Sequence, residues 1–360
     1  MQRIAVVMAG GSGERFWPLS RALRPKQLLK LTDPSLSMLE EAVRRIEPLV
    51  GKDGVFLSTS ETLREPLTQS GLVPPGRLLC EPDKRNTLGA LVWVSAQLMA
   101  LMPEKWMDLS VAVLTADHKI GEAEAFRATV NAAMTVAEST GGLVTIGVKP
   151  TRAETGFGYI EVNRDDPSYL PAHRVARFRE KPTFETATEM VAAGKFLWNS
   201  GMFFWKLRSF MDELERALPT AAEITTRIAH ALIAQDVPGA MKAFQELPNL
   251  SIDYALMEHS DNVFVVEAGF SWDDVGAWNS LERTRTADEH GNVIVGTVVE
   301  LDSSNSVILN DSNTMTTCVL GMEDVIVVTT DDAVLVCPKS RAQDVKRIVE
   351  ELRARGSQAL

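Results

Sequence analysis

The chain has 360 residues and carries 48 Asp+Glu against 37 Lys+Arg, a formal net charge of −11. That acidic balance argues against a nucleic-acid binder, which presents a basic face, and no apolar run approaches the ~18 residues of a membrane span. Three cysteines, Cys80, Cys318 and Cys337, are odd in number and far apart; they form no disulfide framework and point to a reducing compartment, so a cytoplasmic protein with one large and one smaller domain is expected.

Arg3 to Ala9 is a continuous apolar run after its first residue, suited to a strand buried on both faces of a parallel sheet. Similar runs recur at Val55–Ser58, Val111–Leu114, Leu143–Val148 and Val263–Val266. Helical spacing separates them at Met38–Leu49, Leu88–Met102 and Ala123–Glu138. Asn86 or Thr87 is placed to cap the second of these helices, and Gly141-Gly142 to end the third. The alternation predicts a Rossmann-like α/β domain with a mostly parallel sheet over residues 1–285. From 286 to 360 the texture changes. Short β-like runs at Val293–Leu301, Ser306–Leu309, Thr316–Val319, Val325–Thr329 and Ala333–Val336 are separated by Asp, Asn, Ser and Gly. An amphipathic helix over Ser340–Arg355 follows, predicting a small all-β domain closed by a terminal helix. No strict repeat marks its coils.

The loop Gly10-Gly11-Ser12-Gly13-Glu14-Arg15 follows the first strand directly, where glycines let backbone N–H groups approach an anion. It lacks the Gly-Lys-Ser/Thr ending of a P-loop, and Phe16 stands where a dinucleotide fingerprint has its third glycine. By itself such a loop is equally well an ordinary turn. From Gly13 to Lys30, however, five basic residues (Arg15, Arg21, Arg24, Lys26, Lys30) face one acid, Glu14. A polyphosphate site accounts for both the glycines and the charge. A solvated helix face accounts for Arg21 and Lys30 but less well for Arg15 and Lys26, whose surroundings Pro18 and Pro25 make rigid.

Gly10 to Ser20, continuing to Arg24-Pro25-Lys26-Gln27, resembles the signature of the sugar nucleotidylyltransferases. Its Phe-Trp-Pro-Leu-Ser and Pro-Lys-Gln variants are similar to those of the branch acting on GTP and mannose 1-phosphate. The resemblance runs the length of the chain and implies that the C-terminal part is a left-handed β-helix-like domain serving assembly, hence a homodimer. Arg15 and Lys26 take the catalytic cationic positions, and Gly10, Gly11 and Gly13 the nucleotide loop.

Asp117-His118 stands at the C-terminal end of a predicted strand, where open α/β sheets bind ligands. A second acidic pair, Asp273-Asp274, lies in Ser271-Trp272-Asp273-Asp274-Val275-Gly276. Spacing alone leaves a capping role for either member of that pair open. The resemblance selects Asp117 and Asp274 as ligands of Mg²⁺, a cation that takes oxygen donors. His118 has no second histidine at ligand spacing and reads as a local hydrogen-bonding group.

Three further segments match the family's sugar-binding elements: Thr155-Gly156-Phe157-Gly158-Tyr159, Glu180-Lys181-Pro182 and Asn199-Ser200-Gly201. Singly each reads as turn or surface. Together they place Gly158 and Tyr159 near a sugar ring, Glu180 and Asn199 on its hydroxyls, and Lys181 on its 1-phosphate. In Glu81-Pro82-Asp83-Lys84-Arg85-Asn86-Thr87, a carboxylate at Glu81 can accept from guanine N1–H and its 2-amino group. Pro82, Asn86 and Thr87 resemble the nucleoside-contacting residues. The implied reaction is in-line attack of a sugar phosphate oxygen on the α-phosphorus of GTP. The sugar's second phosphate pKa, near ~6, leaves no need for a protein base. Two rivals remain. One is the same chemistry on another sugar or base, and the other a non-catalytic sugar-nucleotide sensor. An appended isomerase of the cupin type is not expected, since no histidine-rich motif follows the β-domain.

Overall fold

The computed structural model describes residues 1–360. Its first eleven strands in chain order are β1 (Gln2–Met8), β2 (Val55–Ser60), β3 (Leu78–Glu81), β4 (Leu109–Thr115), β5 (Lys119–Ile120), β6 (Leu143–Val148), β7 (Gly158–Asn163), β8 (Ala172–Glu180), β9 (Phe196–Lys206), β10 (Val263–Glu267) and β11 (Trp272–Asp273). Six more follow: β12 (Val293–Val295), β13 (Val298–Leu301), β14 (Val307–Asn310), β15 (Thr317–Leu320), β16 (Val325–Thr329) and β17 (Val334–Pro338). They belong to two compact units, each discontinuous in sequence. The first comprises Met1–Met8, Val43–Thr115 and Gly121–Ser271; the second comprises Ala9–Ala42, Ala116–Ile120 and Trp272–Leu360. The second unit therefore takes residues from both sides of position 285.

The first unit is built on a nine-stranded sheet ordered β3-β2-β1-β4-β9-β6-β10-β8-β7. Following the pairings strand by strand, seven strands run one way and only β8 and β9 oppose them. The sheet is thus the mostly parallel one that the apolar runs imply, with Ile4 to Val7 of β1 wholly buried. Strand β9 is long enough to pair with β4 and β6 and, through Phe196–Trp198, also with β7. Its aromatic half packs the core, Trp205 stacking on Phe210 at 4.7 Å between centroids. Helix Asn86–Leu101 has almost no polar face and is buried over most of its length, as a helix covered on all sides must be. Its N-cap position is Arg85, and neither Asn86 nor Thr87 caps it. The Asn86 carboxamide accepts from the neighbouring Thr87 N–H, and the Thr87 hydroxyl accepts from Ile252 N–H at 2.8 Å. Gly141, at φ 68°, ends helix Ala123–Thr140 as expected.

In the second unit, β12, β14 and β16 stack in parallel, β13 and β15 pair in parallel beside them, and β17 closes the first stack antiparallel. Val307 pairs with Ile326 and Val298 with Thr317, a coil of nineteen residues, whereas Val293 pairs with Val307 only fourteen residues on. Unequal coils explain why no repeat is visible in the sequence. The corner between β12 and β13 needs Gly296, at φ 84°, because a Cβ there would lie 2.0 Å from the Asn310 carbonyl oxygen. The apolar faces of these coils share one core with the segment Ala9–Ala42. Phe16, Trp17, Leu29 and Leu31 pack with Trp278, Ile326, Val328 and the terminal helix residues Val345 and Val349.

Trp278 is central to that core: fully buried, 5.1 Å edge-on from Phe16, with its indole N–H donating to the Trp17 carbonyl at 3.0 Å. Trp278→Ala is expected to cost about 3–5 kcal/mol. Urea denaturation followed by circular dichroism should show the lowered midpoint, and Trp278→Phe should recover most of the loss.

Candidate functional site

The glycine loop is held from behind. The Gln27 side chain is buried and donates to the Ala9 carbonyl at 2.7 Å. Gly13 sits at φ 61° against Lys26, where a Cβ would lie 2.4 Å from the lysine Cβ and 2.8 Å from its backbone nitrogen. Gly10 and Gly11, by contrast, are exposed and face open space, a Cβ meeting nothing within 4 Å. One glycine is therefore required by packing, while the other two leave backbone accessible to a ligand.

The loop lines a cleft of about 340 Å³ together with Arg15, Lys26, Asp117, His118, Asp274 and Gly276. Lys26 is 6% exposed. Its ammonium donates to Asp117 Oδ2 at 3.0 Å and to the Asp274 carbonyl oxygen at 2.7 Å. Burial alone would raise the Asp117 carboxyl. The Lys26 charge and the His118 ring outweigh it and hold the group below the ordinary carboxylate range. His118 Nδ1 accepts from the Trp272 indole N–H at 3.1 Å, and its Nε2 lies 3.8 Å from Asp117 Oδ1. That is the local hydrogen-bonding role expected of it. The Arg15 guanidinium donates to the Gly276 carbonyl at 2.9 Å.

The second acidic pair divides its work. Asp273 binds Arg283 at 2.6 Å and accepts from Val275 N–H at 2.8 Å, so it builds the turn. Asp274 lines the cleft. Val275, the next residue, is fully buried with φ 46°, a conformation that costs a β-branched residue energy. Gly276 completes the turn, since a Cβ there would sit 2.5 Å from Asp274 Oδ2.

In the first unit the three sugar motifs meet. Asn199 donates through Nδ2 to Asp253 Oδ1 at 2.8 Å, while its Oδ1 accepts from the Thr145 hydroxyl and from Gly201 N–H. One carboxamide hydrogen remains for a ligand. Glu180 pairs with Lys181 at 3.1 Å, the carboxylate 11% exposed and the lysine side chain 62%. Gly158 makes room for that carboxylate, because a Cβ would lie 2.4 Å from Glu180 Oε2. Tyr159 differs from expectation. Its ring is fully buried and its hydroxyl accepts from Glu154 N–H at 3.0 Å, so it fixes the Thr-Gly loop rather than facing a sugar.

Asp253 escapes a motif search. It lies on a five-residue π-helical turn, Asp253–Met257. Burial, then the Glu180 charge, push its carboxyl up to about 6. The only sequence signal is an acid inside Ser251-Ile252-Asp253-Tyr254, with nothing to pair it to Asn199.

Glu81 ends β3 with Oε2 buried and without a hydrogen-bond partner. Burial pushes its carboxyl up to about 7. An unpartnered carboxylate oxygen is costly unless a ligand supplies donors. Pro82 follows it, and Asn86 and Thr87 lie exposed at the start of the next helix.

Residues 4–291 match the family model of the nucleotidyl transferases, and 296–352 that of the mannose-phosphate isomerase/GMP-like β-helix domain. The mannose-1-phosphate guanylyltransferase of Escherichia coli K12 is 38% identical over 98% of this chain and 73% of its own length. A crystal structure from Thermus thermophilus, described as a mannose-1-phosphate geranyltransferase, superposes with a TM-score of 0.84. It is 34% identical, covering 98% of this chain and all of that one. A Helicobacter pylori structure described as a mannose-6-phosphate isomerase is 28% identical with a TM-score of 0.58, over 76% of this chain and all of that one. The chain belongs to the nucleotidyl transferase family, in its mannose-1-phosphate guanylyltransferase group, whose chemistry is nucleotidyl transfer to a sugar phosphate.

Proposed function

We propose that the chain transfers GMP from GTP to α-D-mannose 1-phosphate, giving GDP-mannose and pyrophosphate. The observation that carries this reading is the buried Lys26 ammonium, held by Asp117 and the Asp274 carbonyl in a cleft lined by the glycine loop. A nearly dry lysine fixed beside open backbone suits the stabilisation of polyphosphate charge.

A phosphate oxygen of the sugar attacks the α-phosphorus, and the bond to the bridging oxygen breaks so that its electron pair leaves with pyrophosphate. The nucleophile is ionised already at neutral pH, its second pKa being near ~6, so the protein's contribution is positioning and charge. Gly10, Gly11 and Gly13 place backbone along the phosphates, and Arg15 and Lys26 neutralise them. Lys181 holds the sugar phosphate, Glu180 and the free hydrogen of Asn199 the ring hydroxyls, with Gly158 and Tyr159 shaping their loop. Glu81 accepts from the guanine edge, and Pro82, Asn86 and Thr87 lie along the nucleoside. In this reading Asp253 orients Asn199.

The donor set in the cleft suits Mg²⁺: two carboxylates, Asp117 and Asp274, both hard oxygen donors, with room left for phosphate oxygens and water. Those two residues would hold the ion, which when bound offsets charge at the α-phosphate. We read residues 1–285 as the catalytic segment and 286–360 as a β-helix segment serving assembly into a homodimer. Three free cysteines support action in the cytoplasm.

The test is pyrophosphate release with Mg²⁺ and mannose 1-phosphate, comparing GTP with ATP, UTP and dTTP. Release that favours GTP and vanishes without the sugar is expected. Release with another nucleotide would overturn Glu81 as the base reader, and none with any nucleotide, in protein that binds GDP-mannose, would favour a sensor. Lys26→Ala and Asp274→Ala should each lower turnover by at least about a hundredfold with secondary structure unchanged; near-wild-type rates in folded protein would remove both from the mechanism.

The raised pKa of Glu81 gives a pH signature. Guanine requires the ionised carboxyl, which at about 7 is only half formed in the free protein near neutrality. The KM for GTP should therefore fall as pH rises from about 6 to about 8 and then level. Substrate ionisation is common to all variants, so the ratio of wild-type to Glu81→Gln KM isolates the effect. A pH-independent ratio would mean that this carboxyl does not read the base.

A further inference from the structure

One wall of the phosphate cleft comes from a segment that no signature motif supplies. Lys346, in the first turn of the terminal helix Val345–Ala354, lines the cleft with Glu14 and Arg15. The other basic groups of this helix and of the turns flanking it are committed. Arg341 and Arg347 both face Asp344, Arg353 pairs with Glu14 at 2.8 Å, and Arg355 pairs with Glu351 at 2.7 Å. Lys346 is the one that no salt bridge holds. Helix stability does not explain it either, since a cation in the first turn faces the positive end of the helix dipole.

The helix is fixed against the loop. It packs on the turn Glu14–Phe16, and Val345 and Val349 are buried in the core. The Arg353–Glu14 pair ties it near one end, and the Trp17 indole N–H donates to the Ala359 carbonyl at 2.7 Å beyond it. Arg353 takes the Glu14 charge, and Asp344, the acid on which the Lys346 charge acts, is already shared with Arg341 and Arg347, so Lys346 faces the cleft without an ion pair of its own. Asp117 pairs with Lys26 through its carboxylate, whereas Asp274 meets Lys26 only through its backbone carbonyl and turns its carboxylate to the Gly276 side, where the Arg15 guanidinium also lies.

We propose that Lys346 binds the terminal phosphates of the nucleotide, the half that leaves as pyrophosphate, so that the C-terminal helix is part of the phosphate site. This rests on the reading of the cleft as that site. A long, exposed, unpaired lysine can follow pyrophosphate as it departs, which predicts a larger effect on pyrophosphate affinity than on turnover.

The full-length chain tests this through pyrophosphate binding by titration calorimetry and through KM values for GTP and mannose 1-phosphate. Lys346→Met should weaken pyrophosphate about five- to tenfold and raise the KM for GTP similarly. The KM for the sugar phosphate should stay within about twofold. Lys346→Arg should restore affinity. Arg347→Met, which removes the same charge from the same helix outside the cleft, should change nothing. If Lys346→Met keeps pyrophosphate and GTP within about twofold of wild type while Lys26→Met abolishes binding, Lys346 has no such role and the cleft remains the phosphate site. If Lys26→Met also binds pyrophosphate normally, the cleft reading itself fails.

Discussion

The cleft depends on a buried ammonium. Lys26 is held by a carboxylate and a backbone carbonyl from two other segments, Asp117 at 3.0 Å and Asp274 at 2.7 Å. Desolvating such a charge is expensive, and it is tolerated here because a carboxylate and a carbonyl oxygen accept its hydrogens. Three chain segments of the second unit therefore have to arrive together: the glycine loop with its Pro-Lys-Gln continuation, the start of Ala116–Ile120, and the Asp273–Gly276 turn. Gly13 shows how close that meeting is, since even a methyl group would overlap Lys26. An arrangement this demanding of position is poorly explained by stability alone, because an apolar side chain would fill the same space without desolvating a charge.

The sugar motifs follow the same logic with acceptors in place of a cation. Glu180 and Asp253 are two carboxyls near enough for the charge on one to raise the pKa of the other. Lys181 and the Asn199 carboxamide offset them. The cluster gathers more acceptors than donors, and in the proposed reading the hydroxyls of a sugar ring are the donors that meet it. Gly158 and Tyr159 serve the cluster indirectly, the first by making space for Glu180 and the second by tying down Glu154.

Much of this was legible in the sequence because the residues involved are close together along the chain or sit in unusual local patterns. The strand ending before Asp117, the glycine loop and the charge excess from Gly13 to Lys30 each follow from composition within a few residues. What was not legible depends on contacts between distant segments. Strand β9 enters the sheet antiparallel between β4 and β6, and its mixed aromatic and polar run, Phe196 to Lys206, has neither period clearly. Asp253 gains meaning only beside Asn199, fifty-four residues away. Lys346 looks like one of several charges on an amphipathic helix until the salt bridges of its neighbours are counted. Asn86 and Thr87 have the composition of a helix cap, yet the Thr87 hydroxyl is taken by Ile252 N–H, so the tertiary contact prevails over the local preference.

Of the eight non-glycine residues at positive φ, two directly follow a carboxylate of the proposed site. Val275 at φ 46° follows Asp274, and Lys181 at φ 45° follows Glu180. For the valine the compensation is visible: its side chain is wholly buried in the core of the second unit, and its N–H is held by Asp273. Core burial is worth on the order of 1.5–3 kcal/mol for such a side chain, enough to offset a strained residue of about 1–3 kcal/mol. For Lys181 the side chain is exposed, so burial cannot be the compensation, and its N–H to the Phe157 carbonyl at 3.2 Å is a modest tether. The strain there is instead borne by the strand pairing of Gly158 with Glu180, which fixes the residue just before it. In both places a rigid element sets the carboxylate and the next residue absorbs the cost. That is the order expected when the position of the acid, rather than the comfort of the backbone, is what the fold preserves.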